Sequence, residues 1–221
     1  MAAHDRAGAD VARTSRRGPT PGSDAVSVDV IKQEATRLFA ERTYPAVGIR
    51  DIAEAVGLLP GSLYVHIRSK DELLFLIVRD GIQLFLDAIE PVAHVAAPAG
   101  VRLQNAMGAY LAVAAEHQQQ TRVAFHQWTY LQGDQRAVVV ELRQSYEKLF
   151  ADIVAEGVDS GDFRRPRSRR LAVLTIVGAL NAAGDWFDPS GSMSVDDVAA
   201  DLADTALRGL CEGTAYAQAD S

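Results

Sequence analysis

Residues 49–74 read IRDIAEAVGLLPGSLYVHIRSKDELL, and this stretch decides the fold. Ile49, Ile52, Ala53 and Val56 form the inner face of one short helix, with Gly48 placed to cap it and Gly57 to break it. Pro60 fits the first turn of a second helix, where its missing N–H had no intrahelical partner in any case. Leu63 and Ile67 anchor that helix, while Ser62, Tyr64 and His66 leave its other face polar and free. Ser69-Lys70-Asp71-Glu72 is a capping box that opens a third helix directly behind the pair. Two short helices joined by a turn, the second with little apolar bulk, suit insertion of that second helix into a DNA groove.

Upstream, Ile31, Ala35, Leu38 and Phe39 share one stripe at helical spacing from about Ser27, and Pro45 stops that helix near Thr43. Residues 1–25 hold Gly, Pro, Ser, Arg and Ala without period and read as a disordered tail. They serve either as a solvated leader or as a basic arm whose Arg13, Arg16 and Arg17 touch phosphates or the minor groove. Downstream, the capped helix is predicted to run to about Glu90, ahead of Pro91. Its Leu73, Leu74, Ile77, Val78, Ile82, Phe85, Leu86 and Ile89 cover more than one face, so it should be buried on two sides and bridge two units. Beyond Gly100 every periodic segment is helical, near 101–118, 121–131, 135–157, 168–186 and 195–211. Gly157, Gly161 and Pro166 punctuate one boundary, Pro189 and Gly191 another. The fold class is therefore all-α, with an N-terminal three-helix helix-turn-helix domain over 26–70. A C-terminal helical ligand-binding and dimerisation domain is expected over 71–213, and a tail over 214–221.

The chain has 221 residues, 48% of them hydrophobic, enough to bury a sizeable core. Its net charge of -7 is uneven: +1 over residues 1–25, -1 over 26–80 and -7 over 81–221. A near-neutral DNA-binding unit must rely on a few well-placed groups, and coating nucleic acid by charge alone is excluded. The single cysteine, Cys211, excludes an intramolecular disulfide and a Cys-based metal site, so a reduced, cytoplasmic setting is the plain reading. The N-terminus shows no apolar leader segment, and no apolar run reaches the ~20 residues that span a bilayer. No cofactor is implied. His117 and His126 lack ligand-like spacing and no Gly-rich phosphate loop or HExxH occurs, so enzyme chemistry has no constellation to rest on.

Taken in order, Leu38-Phe39-Ala40-Glu41-Arg42, Arg50-Asp51-Ile52-Ala53, Gly57, Gly61-Ser62-Leu63-Tyr64-Val65-His66 and Ser69-Lys70-Asp71-Glu72-Leu73-Leu74 resemble the TetR family of bacterial transcriptional regulators. Order, spacing and caps all agree. The run GLLPGSLYVHIRSKDEL, and Asn181 to Trp186 followed by Pro189 and Gly191, resemble the branch that senses CoA thioesters of fatty acids or steroid-breakdown intermediates. Two positions depart from the family pattern. Gly48 stands where the family has Thr or Ser, which removes a hydroxyl contact to phosphate, and Ile67 replaces Phe, a change of core shape.

Helix-turn-helix geometry then sends Pro60, Gly61, Ser62 and Tyr64 to the base edges of the major groove. Gly61 permits close backbone approach, Ser62 donates, and Tyr64 meets a phosphate or packs on a thymine methyl. His66 and Lys70 are expected on phosphates, Lys70 aided by the N–H groups of the capped helix start, and Arg50 on the DNA backbone. One unit makes few contacts, so the expectation is a homodimer on a palindromic, double-stranded operator. The 168–186 and 195–211 helices of each subunit would build its four-helix interface.

The effector pocket is expected among the helices from 73 to 157, lined by Leu84, Met107, Tyr110, Leu111, Phe125, Trp128, Tyr130 and Leu131. Within 121–131, Phe125, His126, Gln127, Trp128 and Tyr130 mix apolar surface with polar tips, as small-molecule sites do. The expected function is a repressor released by a small hydrophobic or acyl-CoA-type effector that tilts the 70–90 helix. The alternatives are a DNA-binding regulator without a small-molecule ligand and an all-helical enzyme.

Overall fold

The computed structural model describes residues 27–188 and 190–211. The tails assigned to 1–25 and 214–221, with Arg13, Arg16 and Arg17, and the punctuating Pro189 lie outside the described residues. Nine α-helices follow one another among the described residues: α1 (Val28–Arg42), α2 (Ile49–Ala55), α3 (Pro60–Leu63), α4 (Lys70–Ala93), α5 (Ala99–Glu116), α6 (Gln118–His126), α7 (Gly133–Ser160), α8 (Arg169–Trp186) and α9 (Val195–Cys211). Single 3-10 turns at Tyr44–Ala46 and Trp128–Tyr130 complete the order.

The local signals act as the chemistry requires. Ser27 Oγ accepts the Val30 N–H at 3.3 Å, and Asp29 and Arg42 complement the α1 dipole at its two ends. Asp51 reaches back to accept the Gly48 N–H at 2.7 Å, so α2 keeps half of a capping box although its N-cap has no side chain. Gly57, at φ 71, lets the Leu58 N–H close onto the Ala53 carbonyl at 2.8 Å and end α2. At α4, Ser69 Oγ accepts the Glu72 N–H at 3.0 Å, and Glu72 accepts the Arg68 N–H at 2.7 Å.

Three boundaries differ from the sequence reading, each for a physical reason. α3 is one turn long. The chain continues to Ile67 through isolated turns, such as Ile67 N–H to the Leu63 carbonyl at 3.2 Å, and Leu63 and Ile67 are both buried. α4 runs through Pro91 to Ala93, because the missing N–H deprives only the Asp87 carbonyl, and both residues are exposed to water. The expected 121–131 helix breaks at Gln127, whose buried side chain turns toward α1 instead of extending the helix face.

α4 is the axis of the molecule. It packs against α1, α5, α6 and α7, and its buried Leu73, Leu74, Ile77, Val78, Ile82, Phe85 and Ile89 cover two sides, as its pattern required. Its 24 residues span about 36 Å, so its two ends are far apart. Close approach of α6 depends on Gly81: a Cβ there would stand 2.9 Å from the Ala124 Cβ. No helix among the described residues is long and apolar enough to cross a membrane.

Candidate DNA-binding surface and its link to the core

α1, α2 and α3 share one small core: Ile31, Leu38, Phe39, Ile52, Ala53 and Leu63 are all buried. That core fixes the orientation of the segment from Pro60 to His66, whose outward groups then stand free. Pro60, Gly61, Ser62 and His66 are exposed, Tyr64 is 54% exposed, and Arg50 is exposed on α2. Tyr64 is thus not a packing residue. A Cβ at Gly61 would meet nothing within 4 Å, so the backbone there is bare to an approaching surface. Leu59 and Val65, which sequence reasoning did not single out, are 76% and 82% exposed beside Tyr64. The available signal was that both fall off the Leu63–Ile67 anchor and so have no core position to fill.

Lys70 differs from its expected role. Its ammonium donates to the Tyr44 carbonyl at 3.0 Å and the Val47 carbonyl at 2.8 Å, and stands 4.1 Å from the Tyr44 ring centre. The Tyr44 carbonyl otherwise has only the Val47 N–H at 3.4 Å, and Lys70 supplies a closer donor to it and to the Val47 carbonyl. The Tyr44 hydroxyl in turn donates to Asp71, and burial followed by that bond raises the Tyr44 phenol pKa.

The same turn is held from the other side. The Gln127 side chain, 5% exposed, accepts the Tyr44 N–H at 2.5 Å and donates to the Phe39 carbonyl at 2.7 Å. Between those two points Thr43 sits at φ 69, ψ 152, a region that β-branched residues avoid. A second tie joins α1 to α4: Lys32 Nζ lies 2.5 Å from Asp80, which also accepts from Arg79 at 2.6 Å. Burial alone would raise the Asp80 carboxyl, but the bonds from Lys32 and Arg79 outweigh it and hold its pKa below the ordinary value.

Behind Gln127 lies an aromatic core. Phe85, Tyr110, Phe125, Tyr146 and Phe150 stack edge to face or tilted at centre distances of 4.6–6.0 Å. Asn181 accepts from the Tyr110 hydroxyl at 3.0 Å and lies 3.4 Å from that of Tyr146, and burial raises both phenols. Arg143 stands 4.8 Å from the Trp128 ring and 5.4 Å from that of Phe125. Its Nη1 is buried without a hydrogen-bond partner among the described residues, and burial lowers its pKa.

The expected pocket residues therefore divide. Met107, Tyr110, Leu111, Phe125 and Leu131 are buried, and Leu84 and Trp128 are partly buried. Tyr110 and Phe125 fill space by stacking on their neighbours. Tyr130 is 46% exposed and lies against Tyr44 at 5.6 Å, on the joint with α1 rather than in the core. Met107 alone of the eight also lines an apolar groove of about 410 Å³ that α5 shares with α8 and α9.

A one-turn helix projecting polar groups from a three-helix core, set on a larger helical body, defines a helix-turn-helix transcriptional regulator. The N-terminal domain model of the bacterial regulatory proteins of the TetR family matches residues 31–77, and a tetracyclin repressor-like C-terminal domain model matches residues 96–210. The chain belongs to the TetR family of transcriptional regulators. It is 31% identical over 199 residues to the HTH-type transcriptional repressor KstR2 of Rhodococcus jostii, covering 86% of this chain and 94% of the relative. The TetR-family regulator PfmR of Thermus thermophilus is similar in structure at a TM-score of 0.74 and 30% identity, covering 80% of this chain and 97% of that one. AibR, whose crystal structure holds isovaleryl coenzyme A and operator DNA, shares the fold at a TM-score of 0.72 and 23% identity, covering 83% and 97%.

Proposed function

We propose that this TetR-family repressor binds a palindromic operator as a homodimer and releases it when a small hydrophobic or acyl-CoA-type effector binds its C-terminal helices. Residues 26–70 are the DNA-binding unit and 71–213 the sensing and dimerisation unit. The observation that carries the reading is the double tie between them: Gln127 on the turn after α1, and Lys32 on Asp80 of α4. These ties fix the free face of Pro60, Gly61, Ser62, Tyr64 and His66 relative to the body, with Arg50 beside it. Any effector that favours another position of α6 or α4 also favours another spacing of two recognition segments.

The dimer face is argued from α8, where Leu171, Leu174 and Trp186 are 64%, 41% and 54% exposed on a helix whose opposite side is core. Three large apolar groups along one helix side suit a partner helix better than water. The relatives support the effector class, since AibR was crystallised with an acyl-CoA and operator DNA together.

The test is to select duplexes from a random pool with the full-length protein and measure binding by fluorescence anisotropy at fixed salt. Enrichment of an inverted repeat, bound by a dimer in light scattering and weakened at least tenfold by Tyr64→Ala, is expected. Enrichment of no sequence, or binding indifferent to Tyr64, would overturn the reading.

A further inference from the structure

Val65 and Leu59 are the two most exposed large apolar side chains among the described residues, and they stand six positions apart on the recognition segment. Leu171, the next most exposed, belongs to the proposed dimer face. Single exposed apolar groups are ordinary, but two on the short segment that would meet DNA call for a partner.

Neither side chain is part of the hydrophobic core. Leu59 is the N-cap of α3, a position that Ser, Thr, Asp and Asn stabilise and where Leu ranks among the poorest residues. Its carbonyl does the local work, accepting the Ser62 N–H at 2.9 Å and the Leu63 N–H at 3.2 Å, while its side chain makes no cap bond. Val65 lies two residues from each of the buried anchors Leu63 and Ile67. Bonds from the Val65 N–H to the Ser62 carbonyl and from the Ile67 N–H to the Leu63 carbonyl, both at 3.2 Å, keep a helical course there. Two residues along such a course turn the side chain by about 200°. Val65 therefore stands at the middle of the outward face, with Gly61 and Ser62 as its neighbours one turn back. Leu59 stands at the leading end of the same segment, where a recognition helix meets base edges.

We infer that Leu59 and Val65 set operator specificity by packing on the C5-methyl groups of thymines in each half-site. The major-groove edges of the bases are hydrogen-bonding groups apart from that methyl, so it is the feature an isobutyl or isopropyl group can read. Residues 59–67 hold no lysine or arginine, so the bidentate contact to guanine is not open to them. The apolar pair is also continuous with Ser62 and Tyr64, which lie between its members. This inference rests on the operator-binding reading and names the base feature that is read.

Anisotropy of the full-length protein on its selected operator tests it, with thymines replaced by deoxyuridine one symmetric pair at a time. Deoxyuridine pairs with adenine as thymine does and lacks only the methyl. Burying one methyl is worth about fourfold in affinity, so replacement in both half-sites should weaken wild-type binding about fifteenfold at the positions read. Leu59→Ser and Val65→Ala should each lose the response to one such pair. Leu59→Ser should melt no lower than wild type, because Ser is the better cap, and this separates reading from support of the fold. An operator indifferent to every replacement overturns the inference, while the operator reading stands on sequence enrichment and its loss in Tyr64→Ala. A response kept in both variants but abolished by Tyr64→Ala overturns it too, since the methyl would then belong to the Tyr64 ring. So does wild-type operator affinity in both variants with a changed oligomeric state in light scattering, which would make the pair a contact between copies. Enrichment of no sequence removes the operator reading itself, and this inference with it.

Discussion

The Gln127 side-chain amide closes onto Tyr44 from a different helix, accepting its N–H at 2.5 Å while donating to the Phe39 carbonyl at 2.7 Å. One buried residue of the body thereby satisfies two backbone groups of the DNA-binding unit. Gln127→Ala leaves the Tyr44 N–H buried and unpaired, at a cost of about 1–3 kcal/mol, while the Phe39 carbonyl keeps the Thr43 N–H at 2.9 Å. Chemical denaturation should show a loss within that range, and hydrogen exchange should quicken at Tyr44 and Val47 more than in α7. A loss below about 0.5 kcal/mol with unchanged exchange would remove Gln127 as the tie.

Thr43 lies inside that clamp at φ 69, held by its N–H to the Phe39 carbonyl at 2.9 Å. Strain of this kind costs about 1–3 kcal/mol, and glycine relieves it at an entropic penalty of about 0.5–1 kcal/mol. Thr43→Gly should therefore raise the melting temperature in the ligand-free state. A fall of the kind seen when Gly replaces a residue at negative φ would show that the corner is unstrained.

Lys70 separates a structural from a DNA-contacting role. Removing its ammonium orphans the Val47 carbonyl and leaves the Tyr44 carbonyl only the long bond from the Val47 N–H at 3.4 Å, so Lys70→Ala should destabilise the fold by about 1–3 kcal/mol. The salt dependence of operator binding should keep its slope, whereas a lysine bound to phosphate would lower that slope by about 1. Gly61→Ala makes the opposite prediction. Nothing lies within 4 Å of the added methyl, so stability should barely change while operator affinity falls.

Asp80 gives the joint a pH dependence. Its pKa is lowered in the folded protein, so its pairing with Lys32 and Arg79 contributes fully above the unfolded carboxyl value of about 4. That contribution is lost as pH falls through the lower folded value. Melting curves across this acidic window should converge for wild type and Asp80→Asn, and differ by about 1–3 kcal/mol at neutral pH. Curves that stay parallel at every pH would contradict the assignment.

The helices were legible because their caps and stripes act locally: Ser27, Gly57, Ser69 and Gly161 need only their own neighbours to set a boundary. The exposed face of Ser62, Tyr64 and His66 was legible for the same reason, since Leu63 and Ile67 fix which side is buried. What sequence did not show depends on contacts across the fold. Gln127 bonds residues more than eighty positions away, and nothing in its own segment marks it as other than a pocket polar tip. Lys70 carries the signals of a free helix-start lysine, and only the nearby Tyr44 and Val47 carbonyls divert it. Tyr110 and Phe125 have the composition of a pocket and the packing of a core, a difference that neighbours decide.

The central claim is that a ligand in the body controls the grip on DNA. Operator affinity of the full-length protein, measured by anisotropy with and without decanoyl-CoA at a saturation fixed by calorimetry, tests it most directly. At least a tenfold loss of affinity is predicted when the protein is saturated. An affinity unchanged by ligand that calorimetry shows to be bound would contradict it.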